Sequence, residues 1–183
     1  MYESIYSCLK QNDLFPIKGK ILGISGIKNF YPFIDMRNIE LIEQNYPEID
    51  MQDISYEKNT FDCVISDQVL EHLEDPSQAI NESYRVLKPG GIVIHTTCFL
   101  NYIHLYPKDF WRFSPESLKY LCRNFSQIFI AEGWGNRFAI ILCFISDRFR
   151  LMKIPKTKYS IKRLVSTYNE HRYPIVTWII ARK

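Results

Sequence analysis

Three side chains in this sequence are placed to take up a proton near neutral pH: His72, His104 and Asp109. Histidine changes charge between roughly pH 5 and 8, which suits it to receive a proton from a hydroxyl or an amine. His104 opens the run HLYPKDFWRFS (104–114), which is aromatic and charged at once. A loop of that composition can close on a polar small molecule by stacking and hydrogen bonding, with Tyr106, Trp111 and Arg112 as the residues that would touch it. The bland alternatives are plain. His72 could be a helix-start histidine bonded to backbone, and Trp111 and Phe113 could anchor the loop over a sheet with Asp109 and Arg112 paired.

These groups have to be positioned by a framework of alternating strands and helices. KILGISG (20–26) is an apolar strand stopped by small residues, and FDCVIS (61–66) is a central strand that turns polar at its end. NIELIE (38–43) and IDMQDI (49–54) alternate, predicting two short strands around a turn at Asn45 and Pro47. Only 27–37 is left for a helix between the first two strands, and Pro32 interrupts it. Asp75-Pro76-Ser77-Gln78 supplies an N-cap, a first-turn proline and a capping-box glutamine, followed by a helical stripe at Ala79, Ile80, Tyr84 and Leu87. Lys88-Pro89-Gly90-Gly91 ends that helix before the strand Ile92-Val93-Ile94, the compact order of a right-handed parallel crossover. Beyond these, the pattern predicts a helix over 115–124 capped by Ser114, a strand over 126–132, an apolar helix or lid over 138–152 and a final strand over 175–180. A short helix over 1–14 would lie across the sheet edge.

Ligands of such folds sit at the carboxyl ends of the strands, where Ser25 and Gly26, Glu43, Asp53 and Ser66 to Gln68 would converge. A ligand with an adenosine part needs a small-residue turn, an acid for the ribose hydroxyls and a slot for adenine, and the sequence has candidates for all three.

The stretch NTFDCVISDQVLEHLEDPSQAINESYRVLKPGGIVIHTT (59–97) resembles the class I S-adenosylmethionine-dependent methyltransferases, in particular the type 11 small-molecule group, through FDxVxS, VLEH and ExxRVLKPGG. The resemblance implies an α/β, Rossmann-like three-layer sandwich with a mostly parallel seven-stranded sheet, the last strand antiparallel and 175–180 in the terminal hairpin. It implies S-adenosyl-L-methionine as the cofactor. By the same resemblance Glu43 matches the acid that holds the ribose, Asp53 and Ile54 the pair beside the adenine, and Ser66, Asp67 and Gln68 the segment beside the methionine part. Ser25 and Gly26 fall in the first-strand turn, where the family usually has an acid and a glycine-rich loop. Here Gly23 stands in the acid's place and Gly26 is the last glycine of the turn. The pattern HxxPxDxWRFS resembles methyltransferases linked to sugar or cell-surface glycan pathways.

Composition narrows the classes. With 183 residues and 46% hydrophobic content the chain reads as one globular domain over 1–183, with a substrate loop at about 98–114 and a lid or basic insertion at about 136–170. A net charge of +3 does not suggest nucleic acid. Five scattered cysteines without a CxxC pair suggest buried thiols and no metal site. No basic segment followed by an apolar stretch opens the chain, so a cytoplasmic protein is expected. Arg148 to Arg163 holds seven basic residues and no acid, either a solvated connection or a face for a phosphate-bearing substrate or an anionic membrane. A homodimer could provide a lid. The functional expectation is methyl transfer to a small molecule, such as a sugar or glycan precursor. The alternatives are a catalytically silent methyltransferase-like domain that binds a partner, and a methyltransferase acting on RNA or protein.

Overall fold

The apolar runs become the inner strands of one sheet. In the computed structural model, which describes residues 1–104, 108–146, 154, 155, 157 and 159–183, the strands are β1 (Ile17–Ile24), β2 (Ile34–Gln44), β3 (Phe61–Asp67), β4 (Leu87–Cys98), β5 (Gln127–Trp134) and β6 (Val176–Arg182). Their order in the sheet is β2-β1-β3-β4-β6-β5. The pairs β2/β1, β1/β3 and β3/β4 are parallel, whereas β6 lies antiparallel to both β4 and β5. This is the mostly parallel α/β sandwich expected, with six strands among the described residues in place of seven.

The missing strand is the one expected at 49–54. Asp50 Oδ1 accepts the Gln52 N–H at 2.8 Å and the Asp50 carbonyl accepts the Asp53 N–H at 3.0 Å, so the segment turns on itself. An aspartate that captures a nearby backbone N–H offers the chain an alternative to a sheet ladder. The apolar residues that made the alternation persuasive, Ile49, Met51 and Ile54, still enter the core from the turn.

Two layers cover the sheet. On one face lie helix α1 (Tyr2–Gln11) and a 3₁₀ segment, Ile27–Phe33. α1 buries Ile5, Cys8 and Leu9 against Ile17, Ile21, Ile65 and Trp178, so it covers the sheet face and not its edge. Pro32 sits inside the 3₁₀ segment, where its missing N–H leaves room for no longer helix. The other face carries α2 (Pro76–Val86) and α3 (Pro115–Leu121), which bury Ala79, Ile80 and Leu118 against Leu22, Val64, Val93 and Ile179. Both helices start as the sequence predicts. Asp75 accepts the Gln78 N–H at 3.0 Å and Ser114 the Ser117 N–H at 3.2 Å, each with proline in the first turn. α3 ends at Leu121, three residues before the predicted Asn124, because Cys122 leaves helical geometry.

The ExxR pair of α2 holds the segment of chain between β2 and β3. Glu82 Oε2 accepts the Ile54 N–H at 3.0 Å, while Arg85 donates to the carbonyls of Ile54 at 2.7 Å and Tyr56 at 2.8 Å. Beyond β5, α4 (Arg137–Ile145) and α5 (Ile161–Thr167) pack together. Buried Asn136 joins them: it caps α4 through the Ala139 N–H and donates to the carbonyls of Val165 and Tyr168. The predicted helix at 138–152 is α4 up to Ile145, and its remainder falls largely outside the described residues. No helix among the described residues is long and apolar enough to cross a membrane.

Candidate functional site

β1 and β3 lie side by side and end at the same level, with Ile24 opposite Ser66. Each then bends through a left-handed residue, Ser25 and Gly26 at φ 70° after β1 and Gln68 at φ 56° after β3. Paired bends of this kind splay the chain away from the sheet and open a crevice at the strand ends. The crevice is a cavity of about 450 Å³ lined by Ile24, Ser25, Ile49, Met51, Gln68 and His72, with Lys108 and Phe110 at its far side. Gly26, next to Ser25, does not itself line the cavity, and a Cβ built there would meet no atom within 4 Å.

The predicted residues divide. Ser25, Gln68 and His72 line the cavity. Asp67 lies next to it, accepting from Thr96 Oγ1 and, at 3.5 Å, from Asn29 Nδ2. Burial and the Asp67 carboxylate push the Tyr2 phenol up to about 12, which places the start of α1 against this corner. Ser66 is fully buried, with its hydroxyl 2.8 Å from His95 Nδ1, and burial drives that histidine down to about 3, so it is neutral. Glu43 accepts the Tyr31 hydroxyl at 2.8 Å and does not line the cavity. Asp53 and Ile54 lie beyond its wall, which the preceding residues Asp50, Met51 and Gln52 supply.

The first-strand turn has a physical reason for lacking its acid. A Cβ at Gly23 would come within 2.7 Å of Cδ1 and Cγ1 of Ile27, a side chain with no exposed surface. Ile27 fills the space where a longer residue at 23 would start.

All three proton-transfer candidates come together, with His72 alone among them lining the cavity. The rings of His72 and His104 stand edge to face with centroids 4.9 Å apart. His104 Nδ1 lies 3.1 Å from Asp109 Oδ2, and its backbone N–H donates to the same oxygen at 2.8 Å. On its other side Nε2 is 3.9 Å from Glu71 Oε1. His72 Nδ1 contacts the Lys108 carbonyl, the backbone bond anticipated for it as the bland alternative. Asp109 is gripped by the Arg112 guanidinium, which holds its carboxyl down to about 2, below the ordinary 3.8. Arg112 also donates to the carbonyls of Asn101, Tyr102 and Trp111, so its donors serve the loop. Trp111 donates to the Leu73 carbonyl at 2.9 Å and keeps part of its ring exposed. Tyr106 lies outside the described residues.

Glu71 is the residue that sequence reasoning missed. It has no exposed surface, accepts the Thr97 hydroxyl at 2.7 Å, and takes the backbone N–H of Phe110 at 2.8 Å on its own carbonyl. The Gln68 amide completes its bonds when its nitrogen faces Glu71 Oε1 at 3.2 Å and its oxygen the Thr97 N–H at 3.3 Å. One acid thus ties the end of β3, the end of β4 and the 108–112 loop together. The signal for it was its position inside an apolar VLEHL run, where an acid must be buried and partnered. Ligand atoms of Glu71, Cys98 and His104 lie within 4.8 Å of one another. That spacing is looser than the roughly 3.5 Å between two ligands of a tetrahedral ion. Burial, with Glu71 beside it, raises the Cys98 thiol to about 12.

Comparison with known proteins adds the following. Residues 14–95 match the family described as Methyltransferase domain. The chain is 34% identical over 82 residues to a rice chloroplast 2-methyl-6-phytyl-1,4-hydroquinone methyltransferase, covering 42% of this chain and 24% of that protein. Against a ubiquinone/menaquinone biosynthesis C-methyltransferase of Haemophilus ducreyi the identity is 37% over 57 residues, covering 31% and 22%. The chain therefore spans about a quarter of the length of these curated relatives. In structure it is similar to phosphoethanolamine N-methyltransferase 2 of Haemonchus contortus, solved with S-adenosyl-L-methionine, with TM-score 0.63, 17% identity, and coverage of all of this chain and 52% of that one.

Proposed function

We propose, on the premise that this chain belongs to the class I S-adenosylmethionine-dependent methyltransferases by its fold and its match over residues 14–95, that it methylates a small molecule held at the mouth of the β1/β3 crevice. The observation that carries this is the crevice itself: the left-handed bends at Ser25 and Gln68 in its lining, an apolar wall at Ile49 and Met51, and His72 in the lining with the His104 ring packed against it. A bound S-adenosylmethionine would supply an electrophilic methyl group. Ser25, Gly26 and Gln68 would hold it, and Asp67, adjoining the first-strand turn, offers the carboxylate that Gly23 lacks. Displacement at a methyl carbon depends above all on alignment, which the rigid strand ends provide. His104 would take the acceptor's proton, with Asp109 orienting it and His72 packing on its ring.

The exposed rings of Phe110 and Trp111 suit an acceptor that is itself a ring. Relatives named for hydroquinone and quinone methylation make a phenolic ring the leading acceptor. A sugar or glycan precursor is the alternative, supported by the HxxPxDxWRFS pattern. Calorimetric titration with S-adenosylmethionine and S-adenosylhomocysteine is the test. Saturable binding is expected, and no heat up to about a millimolar ligand would overturn the enzyme reading. Ile27 packed over Gly23 favours the second reading, a silent methyltransferase-like domain, which that failure would select.

A further inference from the structure

The end of β2 is held level with the first-strand turn. Glu43 pairs in register with Gly23, and Gln44 after it with Ile24, which lines the crevice. The Ser25 N–H donates to the Gln44 carbonyl at 3.1 Å, and Tyr46, two residues further on, lines the crevice itself. An acid at this place in a parallel α/β sheet, one strand across from a small-residue turn, is where the hydroxyls of a ribose are received. Glu43 has the chemistry and the address.

Its carboxylate nevertheless faces elsewhere. Tyr31, from the 3₁₀ segment, donates its hydroxyl to Glu43 Oε2 at 2.8 Å, and Glu43 contributes nothing to the crevice lining. Oε1 accepts no hydrogen bond among the described residues. The same contact raises the Tyr31 phenol above its ordinary value, with the hydrogen bond to Glu43 as the first cause. A neutral O–H donating to a carboxylate is one kind of bond, whether a phenol or a sugar supplies it. Turning Glu43 to the crevice would therefore exchange one such bond for others of its kind. The backbone is spared, because the Tyr56 hydroxyl ties Gln44 Oε1 at 3.1 Å from the opposite layer and the Ser25 bond holds the strand end.

We propose that Tyr31 is a built-in competitor for Glu43: a positioning residue that lowers the affinity for S-adenosylmethionine, because its hydroxyl must release the carboxylate before the ribose hydroxyls can take it. The proposal rests on the methyltransferase reading above. It confines the exchange to two side chains and gives the cofactor affinity a single adjustable contact.

Calorimetric titration of the full chain, wild type and Tyr31→Phe, with S-adenosylhomocysteine and with an analogue lacking both ribose hydroxyls is the test. Phenylalanine keeps the ring and its packing and removes only the competing hydroxyl. Tyr31→Phe is expected to bind S-adenosylhomocysteine about fivefold more tightly, the worth of one ordinary hydrogen bond, and to show no gain with the analogue, which makes no use of Glu43. Equal or weaker binding of S-adenosylhomocysteine by the variant overturns the proposal. So does an equal gain with both ligands, since Tyr31 then obstructs the crevice without competing for the carboxylate. Either result leaves the enzyme reading standing, whereas no binding by wild type and variant alike removes that reading and the proposal with it. Binding by Tyr31→Phe alone, with loss of binding when the ribose hydroxyls are absent, supports both.

Discussion

The Ile27 side chain occupies the space directly over Gly23, 2.7 Å from where a Cβ would stand. Gly23→Asp would put back the acid that the family carries and should nevertheless lower stability, by about 1–3 kcal/mol as an overpacked core residue. Ile27→Ala alone leaves a cavity and costs about 2–5 kcal/mol. In that background the added Gly23→Asp should cost much less than it does in the wild type, as a double-mutant cycle by chemical denaturation would show. Equal penalties in both backgrounds would mean that Ile27 is not what excludes the acid.

Asp109 anchors the 104–112 loop, and its low carboxyl pKa carries a pH dependence. The folded value, about 2, lies below the ordinary 3.8, so its contribution to stability is complete above 3.8 and is lost as pH falls through 2. The gap in melting temperature between wild type and Asp109→Asn should hold steady from about pH 7 to about pH 5 and close at lower pH. A gap that persists undiminished to about pH 2 would contradict the Arg112 pairing as its source.

Arg85 is the clasp of the 54–56 segment. Arg85→Ala removes its bonds to the Ile54 and Tyr56 carbonyls and its pairing with Glu82. A loss of about 1–3 kcal/mol is expected in urea denaturation. Arg85→Lys should recover little of it, because a point charge cannot reproduce the fork that reaches both carbonyls and Glu82 at once. Full rescue by lysine would make the contact a matter of charge alone.

For the proposed reaction, His104→Gln should lower kcat by about 10²–10⁴ with little change in the affinity for S-adenosylmethionine. His72→Gln should have a smaller effect, since its ring nitrogen already contacts the Lys108 carbonyl. Asp109→Asn should also lower kcat, because the His104 ring then loses the carboxylate that orients it. An unchanged kcat would remove Asp109 from that role.

Much of this architecture could be read from local chemistry. The caps at Asp75 and Ser114, the run of β3 and the brief 3₁₀ segment forced by Pro32 each follow from residues close together in the chain, whereas the antiparallel β6, paired with distant β4, was implied by the family resemblance. The turn at 49–54 was not legible because the alternation of Ile49 and Met51 with polar neighbours fits a strand, and the competing Asp50 side-chain bond depends on three-dimensional geometry. The site was legible where spacing is short, as in Asp109 and Arg112, three residues apart. Glu71 was hidden because its partners, Gln68, Thr97 and the 108–112 loop, come together only in the folded sheet. Glu43 had the right chemistry, but Tyr31 claims its carboxylate.

The position of β6 between β4 and β5 has a consequence for how the sheet is made. β5 finds its strand partner only in β6, whose residues emerge some forty positions later, after α4 and α5. Until then the nascent chain holds β4 with one edge bare and β5 with none of its ladder formed. Closing the sheet therefore requires a late strand to enter a slot between two earlier ones, a long-range step that slows folding and leaves sticky edges in the interim. Substitutions that weaken β6, far from the crevice, should show themselves first as poor yield from the ribosome and only afterwards as lost stability.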